Sequence, residues 1–276
     1  MVEIILDKSF IYNFGDINSK EGRTIDKIFL NENNTFIINS SLLEYIEENI
    51  DITFLQKWED YFTYLSDNNK LESSKNDTLD TDVIFKEETK VTDYVIVLKN
   101  IDNDLNKNSC NLKSILFNDL LFIELLTSNK ITLRNSNFKN NYEIKEFFEK
   151  LFFCSKTKYR ITIISRYNNF DCDIIKVLKN KFEEKAYWTT KKRDFTDPST
   201  NLKNLRNQLG NKLLVFTGNN EQIHERKLII GSLIVEFDDD FNKITVDVDT
   251  WVCNCLVDKS LADKLRTKQN SLIRVN

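Results

Sequence analysis

The stretch Gln222-Ile223-His224-Glu225-Arg226-Lys227-Leu228-Ile229-Ile230-Gly231-Ser232, with Ile234-Val235-Glu236-Phe237-Asp238-Asp239-Asp240-Phe241 after it, organises the reading of this chain. Two strand-like runs, 223–230 and 233–237, flank Gly231-Ser232. A two-residue break containing glycine between strand-like runs predicts a β-hairpin. The same stretch holds the only histidine of 276 residues. Histidine is the side chain whose ordinary pKa places its charge change between about pH 5 and 8, so any proton transfer or phosphate chemistry through histidine passes through His224. Three readings stay open for it: a half-buried strand histidine bonded to a backbone carbonyl or to Glu236, a phosphate ligand without chemistry, or a nucleophile.

Outward from the hairpin, the pattern of apolar residues gives alternating elements. Residues 142–153 carry Ile144, Phe147, Phe148, Leu151 and Phe152 at helical spacing. A strand is expected at 159–164, a helix at 171–184, an irregular polar stretch at 188–201 around the lone Pro198, and a helix at 202–209 closed by Gly210 at its C′ position. Strands are expected at 213–217, 244–248 and 251–256, and a last short helix at 260–266. Alternating strands and helices predict a mixed α/β sheet.

Residues 2–6 form an apolar run suited to a buried parallel strand ending at Asp7. A second strand is expected at 35–38. Asn39-Ser40-Ser41 then supplies a cap for a helix, with Ser41 and Glu44 at capping-box spacing. Residues 54–65 have helical spacing with an aromatic face read as core packing. Residues 66–82 are linker-like, 94–98 a strand and 102–111 a polar loop. Residues 112–126 are read as one helix that contains Asp119 and Glu124, and 131–133 as a short strand. The fold class is therefore α/β in two parts, 1–129 and 130–276.

Composition bounds the function. With 41% hydrophobic and 30% charged residues the chain reads as globular, and its net charge of −4 supplies no global basic field to draw it onto nucleic acid. A local patch is still sufficient: Lys191-Lys192-Arg193, beside Tyr187 and Trp188, has the basic-plus-aromatic character that tracks a phosphate backbone, or is simply a solvated loop. Lys203 and Arg206, three apart on one helix face, extend it. Asp238-Asp239-Asp240 reads as a solvated turn more readily than a cation site. Five cysteines, an odd number, with no apolar stretch long enough for a leader or a membrane span, point to free thiols in a cytoplasmic setting. The Cys253-Asn254-Cys255 pair lacks the further ligands a tetrahedral zinc site needs.

The order strand–Asp–helix, strand–Ser-Ser–helix with Glu, then a helix bearing Asp, resembles the PIN-like nuclease family. The stretches that carry the resemblance are Ile4-Ile5-Leu6-Asp7-Lys8-Ser9, Phe36-Ile37-Ile38-Asn39-Ser40-Ser41-Leu42-Leu43-Glu44, and Asn118-Asp119-Leu120-Leu121 followed by residues 131–138. The resemblance implies Asp7, Glu44 and Asp119 as ligands of Mg²⁺ or Mn²⁺, which would generate hydroxide and steady the charge of phosphodiester hydrolysis. The family's last acid would fall near residues 135–137, where this chain has none.

Residues 130–256 resemble the phospholipase D-like fold, on residues 131–135, 142–153, 161–165 and the His224-Glu225-Arg226 strand. The family's signature is H-x-K, four residues, then D. The resemblance implies His224 as nucleophile and Arg226, in the place of the lysine, as phosphate clamp. Gly231 stands where the aspartate would be, and a single motif per chain would require a homodimer for catalysis. The likeness is closer to degenerate members, such as the C-terminal domain of the MIT-domain proteins of membrane abscission, where an H-x-R strand is retained without catalysis. Both resemblances claim residues 131–138. Together they imply a nuclease or phosphodiester-processing protein of a bacterial toxin or antiviral defence system, with nucleic acid, a protein partner or a second copy as partners and no membrane. The alternative is a non-catalytic module that binds nucleic acid or protein.

Overall fold

The computed structural model describes residues 2–13, 20–88, 93–99, 114–116, 120–155, 161–166, 170, 172–190, 200–223 and 225–275. Its two compact units are Met1–Asn129 and Lys130–Asn276, each with its own sheet. The fold is mixed α/β, one sheet being all-parallel and the other mixed.

The first unit opens with β1 (Val2–Leu6), whose apolar run is buried almost throughout, as a strand covered on both faces must be. Helices α1 (Lys8–Asn13) and α2 (Lys20–Phe29) lead to β2 (Asn34–Ile38), which is buried at every position. Then come α3 (Ser40–Asn49), α4 (Ile52–Asp67), β3 (Leu71–Ser73), α5 (Thr81–Glu88), β4 (Val95–Lys99), β5 (Ser114–Leu116) and α6 (Leu120–Ser128). The strand order is β3-β2-β1-β4-β5. The chain winds outward from β1 through β2 to β3, then restarts on the other side of β1 with β4. The aromatic face of α4 is core: Trp58 packs edge-on against Phe29, which stacks on Phe36 and Tyr61.

Three expectations need correction here. Within the stretch read as one helix from 112, Ser114–Leu116 is a strand paired in parallel with β4, and the described helix is Leu120–Ser128. Its apolar residues fit both periods, and sheet pairing decides between them. The linker-like 66–82 is folded, supplying β3 and the start of α5. The Ser41–Glu44 capping box does not form. Asn39 is the N-cap and accepts from the Leu42 amide at 2.9 Å, while the Ser41 amide donates to Asp77 Oδ1 at 2.7 Å.

The second unit contains β6 (Lys130–Arg134), α7 (Asn141–Phe153), β7 (Ile161–Ile164), α8 (Asp173–Lys181), β8 (Lys185–Thr189), α9 (Thr200–Leu209), β9 (Leu213–Thr217), β10 (Arg226–Ile230), β11 (Leu233–Phe237), β12 (Val252–Val257), α10 (Lys259–Thr267) and β13 (Ile273–Arg274). The sheet order is β13-β9-β8-β7-β10-β11-β12-β6. β7, β8 and β9 are mutually parallel, and every other neighbour is antiparallel.

The opening hairpin forms around Gly231-Ser232, with its first strand starting at Arg226 rather than at Ile223. Ile230 pairs with Leu233 across Gly231-Ser232, and Gly231 has φ +56. A positive φ at the first central residue, with Gly there, suits the right-handed twist of paired strands. Residues 131–133 lie in β6 and pair with β12, so this strand belongs to the second sheet and not the first. Two further expectations fail. Residues 188 and 189, expected at the start of an irregular polar stretch, end the fully buried β8 instead. Residues 244–248 make turns in place of a strand. The Val246 amide goes to Asn141 Oδ1 and the Trp251 indole to the Thr245 carbonyl.

Candidate functional site

In an all-parallel sheet, every strand delivers its carboxyl end to the same edge, and a crevice opens where the winding reverses. That point in the first unit lies between β1 and β4. Asp7 follows β1 directly, and its amide continues the ladder to the Leu98 carbonyl at 3.1 Å. Its Oδ1 accepts from the Ser9 amide at 2.9 Å and the Ser9 hydroxyl at 2.6 Å, which closes the first turn of α1. Its Oδ2 accepts from the Thr81 hydroxyl at a long 3.3 Å. Asp7 therefore has a local structural role and one oxygen only weakly engaged.

Asn39, at the carboxyl end of β2, pins the loop that follows β3. Its Nδ2 donates to the Asn76 carbonyl at 2.8 Å and the Thr78 carbonyl at 2.7 Å. Asp77 in that loop accepts from the Ser40 hydroxyl at 2.7 Å as well as from the Ser41 amide, and these two bonds hold its carboxyl below the usual range. Sequence reasoning missed Asn39 as a loop anchor, Asp77 as the acceptor at the start of α3, and Thr81, which bonds Asp7. Asp77 and Thr81 sit in the stretch dismissed as linker. The available signal was Asp80 before Thr81-Asp82-Val83, an N-cap pattern that the structure realises through the Asp82 amide at 2.9 Å.

The other acids are placed differently. Glu44 is exposed on α3, two residues from both buried Leu42 and buried Ile46. At 3.6 residues per turn that puts it on the side away from the packed stripe. Asp119 lies outside the described residues. Among the described residues, no three His, Cys, Asp or Glu side chains gather as a metal ion would need. The described side chains thus supply Asp7 alone and not the hard-oxygen set that Mg²⁺ or Mn²⁺ requires.

In the second unit, His224 and Lys191, Lys192 and Arg193 lie outside the described residues. Arg226 opens β10 beside the carboxyl end of β7. Its Nε is 3.2 Å from Asp240 Oδ1, and its Nη1 donates to the Asp238 carbonyl at 2.6 Å. The guanidinium is occupied by the acidic turn that follows β11. Lys227, the next residue, points to the other face of the sheet and sits directly across from Glu236. It is 8% exposed and pairs with Glu236 at 2.6 Å and with Glu225. Burial works against its charge, but the two carboxylates outweigh that and hold its pKa above the ordinary lysine value. Gly231 is a turn residue and carries no functional group.

What these features define is a two-unit α/β chain with one carboxylate at the switch point of a parallel sheet and a hairpin whose cations are internally paired. No protein-family model matches the chain, and no curated protein does. Among solved structures, the chain is similar to TrmBL2, an archaeal chromatin protein described as showing a novel mode of DNA binding. That match has 12% identity over 83% of this chain and 67% of the other, with a TM-score of 0.30. It is also similar to NucT from Helicobacter pylori, at 10% identity over 53% of this chain and 98% of that one, with a TM-score of 0.36. At these scores neither similarity carries an argument about fold or chemistry. Among the described residues, no helix is long and apolar enough to cross a membrane.

Proposed function

We propose that the chain processes nucleic-acid phosphodiesters in its first unit, at the crevice headed by Asp7, while Arg226 of the second unit ties the acidic turn to β10 and takes no part in the chemistry. The observation that supports the first half is the position of Asp7, directly after the central strand and at the switch point where open parallel sheets place their ligands. In this reading Mg²⁺ or Mn²⁺ is the cofactor and supplies Lewis-acid stabilisation when bound. Asp7 is its anchoring carboxylate and Asp119 the further ligand that the PIN-like resemblance implies, whereas Glu44, on the outward face of α3, is not part of the set. Asp7 orients through Ser9, and Thr81 donates to its second oxygen. A cytoplasmic toxin or antiviral role is the setting in which such a protein would work.

A second reading is favoured by the ion pairs of Arg226 and Lys227: the chain is a nucleic-acid- or protein-binding module whose phospholipase D-like strand has been converted to structure. The two are separated by incubating the chain with labelled single-stranded RNA and DNA in the presence of Mg²⁺ or Mn²⁺. Asp7→Asn keeps the oxygen that faces Ser9 and removes the charge. Cleavage by the wild type that is lost in Asp7→Asn, with unchanged thermal stability, supports the first reading. Cleavage that survives Asp7→Asn but not His224→Ala moves the chemistry to the second unit. Binding without cleavage under either ion leaves the module.

A further inference from the structure

We infer that the cleft at the amino ends of β8 and β9 binds a phosphomonoester, at the end of the second sheet opposite to Arg226. The register fixes that placement, since Lys185 pairs with Leu213 at the start of both strands, whereas Arg226 stands at the carboxyl end of β7. The cleft, about 340 Å³, has Arg206, Lys212 and Arg274 in its walls, Glu184 as the opposing charge, and Leu214 as an apolar lining. It is larger than a phosphate alone and suits a phosphate carrying an attached group.

The local fold explains why these cations meet. Helix α9 ends at Leu209, Gly210 reverses the chain at φ +104, and its amide bonds the Arg206 carbonyl at 2.8 Å. Arg206 therefore stands one turn before the end of the helix, above the point where Lys212 leads into β9. From the other side, β13 runs antiparallel to β9 and sets Arg274 opposite Phe216. Lys212 is already paired with Glu183 and contributes field more than a bond.

Arg206 is the informative member. Its Nε is buried and has no hydrogen-bond acceptor among the described residues. A guanidinium N–H withdrawn from water normally finds an acceptor, and a guanidinium presents paired N–H groups that match two oxygens of one phosphate. A second arginine in the same cleft fits such an oxyanion better than a single carboxylate, and Glu184 limits the net charge the site will take. The inference rests on neither Asp7 nor Arg226, so it stands or falls apart from the activity proposed above.

The test is calorimetric titration of the whole chain with a nucleoside 5′-monophosphate and with a 5′-phosphorylated oligonucleotide. The parent nucleoside and the 5′-hydroxyl oligonucleotide serve as controls. Saturable binding that requires the phosphate is expected, weakened about tenfold or more in Arg206→Met, which keeps the apolar stem of the side chain. Lys264→Gln, an exposed position on α10 outside the cleft lining, should bind as the wild type does. Should Arg206→Met fail to fold by circular dichroism, Arg274→Gln carries the same expectation. Phosphate-dependent binding of the mononucleotide only marks a free nucleotide as the ligand. Binding of the phosphorylated oligonucleotide as well marks a nucleic-acid end. No phosphate-dependent binding, or equal weakening in Lys264→Gln, overturns the inference.

Discussion

Replacing Lys185 by methionine should change the pH dependence of stability in a way that its surroundings dictate. Lys185 begins β8 at 1% exposure, and its ammonium donates to the Phe182 carbonyl. Among the described residues no carboxylate answers it, and burial, helped by the nearby Lys179 charge, lowers its pKa from 10.5 to about 8. The unfolded chain, with an ordinary lysine, therefore binds more protons than the folded chain between about pH 8 and 10.5, and stability rises with pH across that window. At about 1.4 kcal/mol per tenfold change in proton affinity, the handicap of the folded state is about 3 kcal/mol at pH 7 and mostly relieved by pH 10. Lys185→Met removes it but leaves the Phe182 carbonyl without its donor, a loss of about 1–3 kcal/mol. The net effect at pH 7 is thus small. The decisive quantity is how the difference between variant and wild type changes with pH. Urea unfolding followed by fluorescence, with buried Trp188 on the same strand as reporter, should show the variant losing about 2–3 kcal/mol relative to wild type from pH 7 to pH 10. Other titrating groups cancel in that difference. A difference flat across the window would mean that the ammonium is not desolvated in solution, and the reasoning would be refuted.

Two other substitutions test how the elements are held. Asn39→Ala removes the α3 cap and both bonds to the loop after β3, so a loss of about 2–4 kcal/mol is expected by chemical denaturation, with faster proteolysis in residues 74–80. Gly231→Val places a β-branched residue at φ +56 and should cost about 1–2 kcal/mol or more, read as a lower urea midpoint at unchanged slope.

Much of this architecture is written locally, and the part that is not has a common cause. The buried run of β1, the Gly231-Ser232 turn and the Gly210 stop after α9 are each decided by a few adjacent residues, so periodicity and turn chemistry find them. Strands β5 and β8 are decided by neighbours far along the chain. Ser114–Leu116 gains its identity from β4, and Lys185–Thr189 is buried between β7 and β9 despite its lysine and threonine. The candidate site divides the same way. Asp7 at the end of an apolar strand is legible, and the outward face of Glu44 follows from its spacing to Leu42 and Ile46. The engagement of Thr81 with Asp7, across 74 residues, has no local signal.

Arg226 is the sharpest instance, because its residue type invites a phosphate reading and its partners argue against one. To clamp a phosphate it must leave Asp240 and the Asp238 carbonyl, and Lys227, the adjacent cation, lies on the opposite face with Glu236 and Glu225. The Arg226–Asp240 pair is only partly exposed, so its coupling is of the order of 1 kcal/mol, small enough for a polyanion to compete. The two roles then make opposite predictions for Asp240→Asn. If Arg226 engages phosphate, removing its internal rival frees the guanidinium, and affinity for single-stranded nucleic acid should rise severalfold while stability falls slightly. If Arg226 serves only to tie the acidic turn to β10, stability falls by the same amount and affinity stays where it was. Arg226→Gln completes the cycle, since it abolishes any gain that Asp240→Asn produced under the first role and changes nothing further in affinity under the second. The second outcome is the one the paired geometry leads us to expect.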